Sequence, residues 1–249
     1  MIQQRFFTAV TGLMERLVSE ESAAIDRAAS VIADAIEADR LLHVFGTGGH
    51  SAMGAEEIFF RAGGLVAVNA MLDPGVMLSY GALRSTAVER TPGYARAVLD
   101  EYGLTRGDTL IIVNAYGINA CTIDAAQLAR ERGAITIAVT SRELQAALPQ
   151  GHPSRHPSGA NLADLCDHVI DCKVPMGDAL IEVSGLPQRV GASSTFLNAL
   201  ALNLLTVAAL DELARRGVEP AIWQSANSPG GDEANAQHIE RYRMRIKRL

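Results

Sequence analysis

Two neighbouring carboxylates follow a glycine-rich segment in the first quarter of the chain. The segment Gly46-Thr47-Gly48-Gly49-His50-Ser51 ends a short apolar run, and Glu56 and Glu57 lie about two helical turns after it. Glycines let a ligand approach the backbone, and the free N–H groups of a helix N-terminus favour anions. A carboxylate whose pKa is raised by burial can remove a proton from carbon. Adjacent helical residues lie about 100° apart, so only one of the two glutamates can face a ligand.

Three histidines are candidates for a second group that moves protons between oxygens. His50 lies in the glycine segment, and His152 and His156 lie in the irregular stretch 148–161, LPQGHPSRHPSGAN. Imidazole exchanges protons near neutral pH with little tuning. Arg155, beside His156, would give a mobile loop a donor for anions. These histidines with a glutamate could also hold a metal, but their spacing does not require one, so we predict no metal and no cofactor.

Five short apolar runs, rich in β-branched residues, alternate with helical patterns. They cover residues 41–45, 65–68, 108–113, 134–139 and 168–171. Such runs predict an α/β, doubly wound fold whose parallel sheet is covered on both faces. The glycine segment follows the first run and the irregular stretch follows the fourth. Ligands bind at the carboxyl ends of the strands in open sheets of this kind, so the candidate residues are expected at one edge.

Neither an internal repeat nor a linker divides the 249 residues. We predict a single domain with N-terminal helices over 1–38, an α/β core over 41–216, and a C-terminal tail and helix over 217–249. The stretch 190–210 carries no charge but includes serine, threonine and asparagine, which hydrocarbon tolerates badly. It predicts a core helix rather than a membrane span.

Composition narrows the class of protein further. Hydrophobic residues make up 48% of the chain, which is far from the composition of a disordered segment. The formal net charge of −6 argues against nucleic acid or an anionic membrane as partners. Cys121, Cys166 and Cys172 form no CxxC spacing, and the N-terminus lacks the apolar block of a signal peptide. We therefore expect a cytoplasmic protein in a reducing compartment.

Several unusual segments, in their order along the chain, resemble the sugar isomerase (SIS) domain, and within it a bacterial branch grouped with phosphoheptose isomerases. The segments are HVFGTGGHSAMGAEEIFFRAGGL, STAVERTPGYA, SRHPSGANL and SANSPGGDEAN, together with NAYGIN at 114–119 and SST at 193–195. The resemblance implies a five-stranded, flavodoxin-like parallel sheet with helical extensions at both ends. It also implies a sugar bound at the carboxyl ends of the strands, and a homodimer or homotetramer.

The resemblance further implies which residues bind the substrate. Family phosphates are held by a Ser-x-Ser-Gly turn, where this chain has Asn114 and Tyr116 at the serine positions. Either Thr47, Ser51 and residues 193–195 bind the phosphate instead, or the ligand is not an ordinary sugar phosphate. The predicted binding residues are Gly46, Thr47, Gly48, Gly49, Ser51, Asn114, Tyr116, Gly117, Asn119, Arg155, Ser193, Ser194 and Thr195.

By the same resemblance Glu57 is favoured over Glu56 as the base, since phosphoheptose isomerases carry theirs in a similar Ala-Glu-Glu helix. Their catalytic histidine lies on a C-terminal long helix, and residues 196–213 of this chain contain none, so His156 and His50 are the candidates here. The function implied is an aldose–ketose isomerase that acts on a phosphorylated or otherwise acidic sugar through a cis-enediol. The alternatives are a non-catalytic sugar-phosphate sensor and a lyase that cleaves a sugar ether.

Overall fold

The computed structural model describes all 249 residues. The helices are α1 (Ile2–Glu37), α2 (Gly49–Ile58), α3 (Ala82–Glu89), α4 (Tyr94–Glu101), α5 (Ala120–Glu131), α6 (Arg142–Ala147), α7 (Leu162–Leu165), α8 (Ser194–Arg215) and α9 (Gly231–Tyr242). The strands are β1 (Leu42–Gly46), β2 (Val68–Ala70), β3 (Thr109–Val113), β4 (Ile135–Thr140), β5 (His168–Asp171), β6 (Ala179–Ile181) and β7 (Val190–Ala192).

The first five strands form one parallel sheet in the order β2-β1-β3-β4-β5, which confirms the predicted α/β architecture. β1 and β3 are neighbours, with Leu42 opposite Thr109 and Gly46 opposite Val113. β2 lies beyond β1 on one side of this pair, and β4 and β5 lie beyond β3 on the other side. The direction in which successive strands are added to the sheet therefore reverses between β1 and β3. In open α/β sheets such a reversal leaves a crevice beyond the carboxyl ends of the two strands.

The two faces of the sheet are covered by different helices, and each face has its own apolar core. Leu17 and Ile32 of α1 and Leu205 of α8 belong to one core, while α4 and α5 contribute Leu99 and Ile123 to the other. All five residues of β1 and of β3 are buried. Strands buried on both faces need apolar side chains throughout, which is why they read in the sequence as uninterrupted apolar runs.

Two element boundaries differ from the sequence prediction. The second strand is Val68–Ala70 rather than 65–68, because Leu65 instead forms an isolated antiparallel bridge to Ile222. The uncharged stretch 190–210 is not helical throughout. Val190–Ala192 is the strand β7, which pairs with β6 in a two-stranded antiparallel ribbon, and helix α8 begins at Ser194.

Helix α8 is long and apolar enough to cross a membrane when judged by length and composition alone. Its side chains Leu197, Leu202 and Leu205 are buried in the core against α1 and α2. This is the arrangement of a core helix, and it is consistent with a soluble protein.

Candidate active site

A cleft of about 210 Å³ lies at the carboxyl ends of β1 and β3. Its walls come from the glycine segment after β1, the turn after β3, helix α3 and the first turns of α8. The cleft therefore occupies the crevice that the reversal of strand order creates. His50 and Ser51 of the predicted site line it, together with Tyr116 and Ser194.

Two glycines of the segment after β1 are required for different reasons. At Gly46 a Cβ would lie 2.1 Å from the Ser51 carbonyl oxygen, so the turn itself excludes any side chain. Gly48 has φ −158°, which any residue can adopt, yet a Cβ there would lie 2.8 Å from the carboxyl carbon of Glu89. Gly46 thus maintains the turn, and Gly48 makes room for a carboxylate in the cleft.

Glu89 ends helix α3 and directs its carboxylate into the cleft against Gly48. Burial raises the pKa of this carboxyl, and the hydrogen bond from Asn114 and the charge of Arg90 offset the shift only in part. A carboxyl held in this way is easier to protonate than an exposed one, which is the property a general base needs near neutral pH.

Asn114 holds Glu89 in place from the turn after β3. Its Nδ2 donates to Glu89 Oε1 at 3.2 Å and to Thr47 Oγ1 at 3.3 Å, and its Oδ1 accepts from the Gly117 amide at 2.9 Å. Thr47 is fully buried and bonds Thr122 Oγ1 at 2.6 Å. Thr47 and Asn114 therefore support the site from beneath, and of the two only Asn114 lines the cleft.

The start of α8 is capped by a carboxylate from within the chain. Asp178 Oδ1 accepts from the amides of Ser193 at 2.8 Å and Ser194 at 2.7 Å, and Oδ2 accepts from Ser194 Oγ at 2.7 Å. The sequence predicts that 193–195 bind the substrate, and in the structure these donors of Ser193 and Ser194 are bonded to Asp178. An anion there would compete with the Asp178 carboxylate for the amides of Ser193 and Ser194, and Thr195 does not line the cleft.

Gly117, Asn119 and Tyr116, all in the turn after β3, have different roles. Gly117 has φ +60°, and a Cβ there would lie 2.1 Å from Gln145 Nε2, so only glycine fits. Asn119 is buried and its Nδ2 donates to the Ser154 carbonyl at 3.2 Å. Asn119, Tyr116 and His152 line a second cavity beside the cleft.

The structure places the predicted pair of glutamates away from the cleft. Glu56 is exposed, and Glu57 faces α8, where Asn203 Nδ2 lies 3.3 Å from its Oε1 and Arg61 lies 3.6 Å away. Helix α2 is only ten residues long, and the face that carries Glu57 packs toward α8. The carboxylate that reaches the cleft is Glu89, on a different helix.

Arg155 and His156 are also engaged elsewhere. The Arg155 guanidinium donates to the carbonyls of Gln145 at 2.8 Å and Leu148 at 2.9 Å, so it stabilises the loop instead of facing a ligand. His156 Nε2 lies 3.2 Å from Asp124 Oδ1 on α5. These contacts fasten the loop to the body of the domain, and neither side chain lines the cleft or the second cavity. His50 lines the cleft, His152 lines the second cavity and His156 lies against Asp124, so the three predicted histidines are not brought together.

Reasoning from the sequence missed Glu89, Asp178 and Asn198, all of which line the cleft. Glu89 lies inside the segment STAVERTPGYA, which carries part of the resemblance to the SIS domain, so that segment is the sequence signal that leads to it. Asp178 and Asn198 carry no local signal, because a ribbon and a helix bring them to the cleft.

Comparisons with known proteins agree with this architecture. The SIS domain family model matches residues 5–141. A UPF0309 protein of Brucella canis is 40% identical over 248 residues, which cover 100% of this chain and 99% of that protein. A UPF0309 protein of Brucella ovis is 39% identical over 248 residues with the same coverage. The chain belongs to the SIS domain family, and within that family it groups with the UPF0309 proteins.

Two solved structures share the fold. Phosphoheptose isomerase GmhA from Neisseria gonorrhoeae superposes with a TM-score of 0.56 and 17% identity, covering 85% of this chain and 100% of that one. A phosphoheptose isomerase from Francisella tularensis gives a TM-score of 0.51 and 13% identity, covering 85% of this chain and 96% of that one. At such identities the similarity concerns the fold.

Proposed function

We propose that the protein is an aldose–ketose isomerase that acts on a phosphorylated or otherwise acidic sugar through a cis-enediol, with Glu89 as the base. The observation that carries this proposal is the carboxylate of Glu89, which is half-buried in the cleft between Gly48 and Asn114 and has a raised pKa. Membership of the SIS family and the fold shared with phosphoheptose isomerases support sugar binding or isomerisation.

The reaction requires one group that moves a proton between two adjacent carbons. Glu89 in its ionised form removes the proton from C2 of the open-chain aldose. The C–H electrons form the C1–C2 double bond of the enediol, while the π electrons of the C1 carbonyl move to its oxygen, which takes a proton. The same carboxyl then returns its proton to C1, which gives the ketose. One carboxyl on one face of the sugar suffices for both transfers, so the intermediate is a cis-enediol.

A second group must move a proton between the oxygens on C1 and C2. His50 lines the cleft and is exposed, and it is the histidine of the predicted set that the structure brings to the cleft. Ser51 and Thr86 also line the cleft and offer hydroxyls. We assign the proton transfer between oxygens to His50, because imidazole both donates and accepts near neutral pH.

Proton abstraction is tested by exchange of the C2 hydrogen in D2O. A panel of hexose and heptose phosphates and uronic acids is incubated with the protein, and loss of the C2–H signal is followed by NMR. Exchange is expected with the wild type. It should fall by about 10²–10⁴-fold in Glu89→Gln, whose amide oxygen still accepts from Asn114. Glu57→Gln is the matched control, since it removes a carboxylate outside the cleft and should retain exchange.

Other outcomes separate the alternative functions. Tight binding without exchange would identify a sensor. Exchange accompanied by release of an alcohol from a sugar ether would identify a lyase, because such an elimination starts from the same abstraction. Loss of exchange in Glu57→Gln with full exchange in Glu89→Gln would contradict the assignment of the base.

A further inference from the structure

A second cavity of about 430 Å³ opens beside the cleft and is twice its size. The two share Thr86, Glu89 and Tyr116. Because these residues border both spaces, a ligand seated in one can extend into the other. Glu89, the proposed base, lies at the junction, so the reacting atoms would lie between two parts of the ligand.

Apolar side chains form much of the wall of the second cavity. They are Tyr116, Ile118, Leu148 and Met176, contributed by the turn after β3, the loop after α6 and the segment after β5. Small-molecule sites are lined in this way, with a few polar groups that fix orientation. An aromatic ring with aliphatic neighbours suits the C–H face of another ring.

The charges of the two spaces differ. Glu89 borders both spaces, and Asp178, which caps α8, adds a second carboxylate to the cleft alone. The second cavity adds Arg90 and His152, and Arg90 forms no salt bridge with any carboxylate of the chain. An acidic group on the ligand is therefore better accommodated in the second cavity than at the start of α8.

We propose that the second cavity binds a second hydroxylated ring, so that the ligand is an acidic disaccharide and not a single sugar phosphate. One sugar unit occupies the cleft beneath Glu89, and the ring of the other packs on Tyr116 and presents its carboxylate to Arg90. This assignment rests on the proposed function in taking the cleft as the site of the first sugar.

Calorimetric titration of single and linked rings tests the proposal. The probes are glucose and glucuronic acid, their β-linked disaccharide cellobiouronic acid, and the α-linked maltobiouronic acid. One disaccharide is expected to bind the wild type at least about tenfold more tightly than either single ring. Met176→Trp, which fills the cavity from an exposed position, should remove that gain, whereas Leu83→Trp, on the exposed surface of α3 outside both spaces, should retain it. The gain is the ratio of disaccharide affinity to single-ring affinity, measured within one variant. A change in the overall stability of that variant affects both affinities and cancels in the ratio.

The proposal is overturned if neither disaccharide binds more tightly than the single rings, or if the gain survives in Met176→Trp. Its failure is distinct from that of the proposed function. Exchange of C2–H in a single sugar, with no tighter binding of a disaccharide, would support the isomerase and contradict the site for a second ring. Tighter binding of a disaccharide without C2–H exchange in any probe would support the second ring and contradict the isomerase.

Discussion

Asn114 Nδ2 lies 3.2 Å from Glu89 Oε1, and this contact joins the turn after β3 to the end of α3. The same amide group donates to Thr47 Oγ1, at the end of β1. A side chain at the junction of the two central strands thus orients the carboxylate of a third element. The donated bond also favours the ionised form of Glu89, and so it lowers a pKa that burial raises.

Removal of this donor should shift the pH dependence of the reaction. In Asn114→Ala the pKa of Glu89 is expected to rise further, because only burial and the charge of Arg90 then act on it. The base is active when ionised, so the acidic limb of kcat/KM should move to higher pH. Asn203→Ala, which removes the donor to Glu57, should leave this limb in place. A profile that does not move in Asn114→Ala would contradict the role of Glu89.

The raised pKa of Glu89 also predicts how stability depends on pH. A carboxyl whose folded-state pKa lies above its unfolded value of about 4.3 binds a proton more readily in the folded state. Its contribution to stability is fully present below the unfolded pKa and is lost as pH rises through the folded pKa. Glutamine does not titrate, so Glu89→Gln does not lose this stability. The melting temperature of the variant should therefore rise relative to that of the wild type as pH increases from the unfolded to the folded pKa of Glu89. A difference in melting temperature that is constant from pH 4 to pH 8 would contradict this.

The two required glycines should respond differently to alanine. Gly48→Ala places a methyl group against the Glu89 carboxylate, which lies on a flexible side chain and can move. We expect a folded protein with turnover reduced by at least about tenfold. Gly46→Ala directs its methyl group into the backbone at Ser51, which cannot yield without disrupting the turn, so this variant should unfold at lower temperature or fail to accumulate. Thermal melts and turnover assays of both variants distinguish the two roles, and full activity in Gly48→Ala would count against the proposed base.

Neutralisation of Asp178 should open the start of α8 to anions. Asp178 has φ +63°, a conformation that asparagine tolerates, so Asp178→Asn keeps the backbone and removes the charge. We expect a loss of stability on the order of 1 kcal/mol from the weaker cap, with increased affinity for inorganic phosphate. Denaturant titration and calorimetry measure the two effects. If phosphate binds the wild type as tightly as it binds the variant, Asp178 is not the group that excludes anions.

Exposed apolar side chains on two packed helices favour self-association. Phe7 and Val18 on α1, and Phe196 and Val207 on α8, are each at least 47% exposed. Burial of such residues against a second copy would stabilise a dimer or a tetramer. Sedimentation at micromolar concentration should show a species heavier than the 26.5 kDa monomer. Val207→Glu should shift it toward the monomer, and a monomeric wild type would refute the prediction.

The amino-acid sequence determined the architecture because the relevant signals are local. The strands are apolar runs, since a parallel sheet is buried on both faces, and Gly46 at the end of β1 is required by the backbone of Ser51, a few residues later in the chain. The order of these runs along the chain, with helices between them, sufficed to place the cleft at the carboxyl ends of the strands.

Only the tertiary structure decided which side chains enter that cleft. The sequence favours Glu57 as the base and gives no indication of Glu89, but α2 turns Glu57 toward Asn203 while α3 carries Glu89 to Gly48. The direction of a side chain depends on how its helix packs against elements far away in the chain, and no local pattern encodes it. For the same reason the hydroxyl of Ser194 looked free to bind a ligand, until a ribbon that begins at residue 179 brought Asp178 to it.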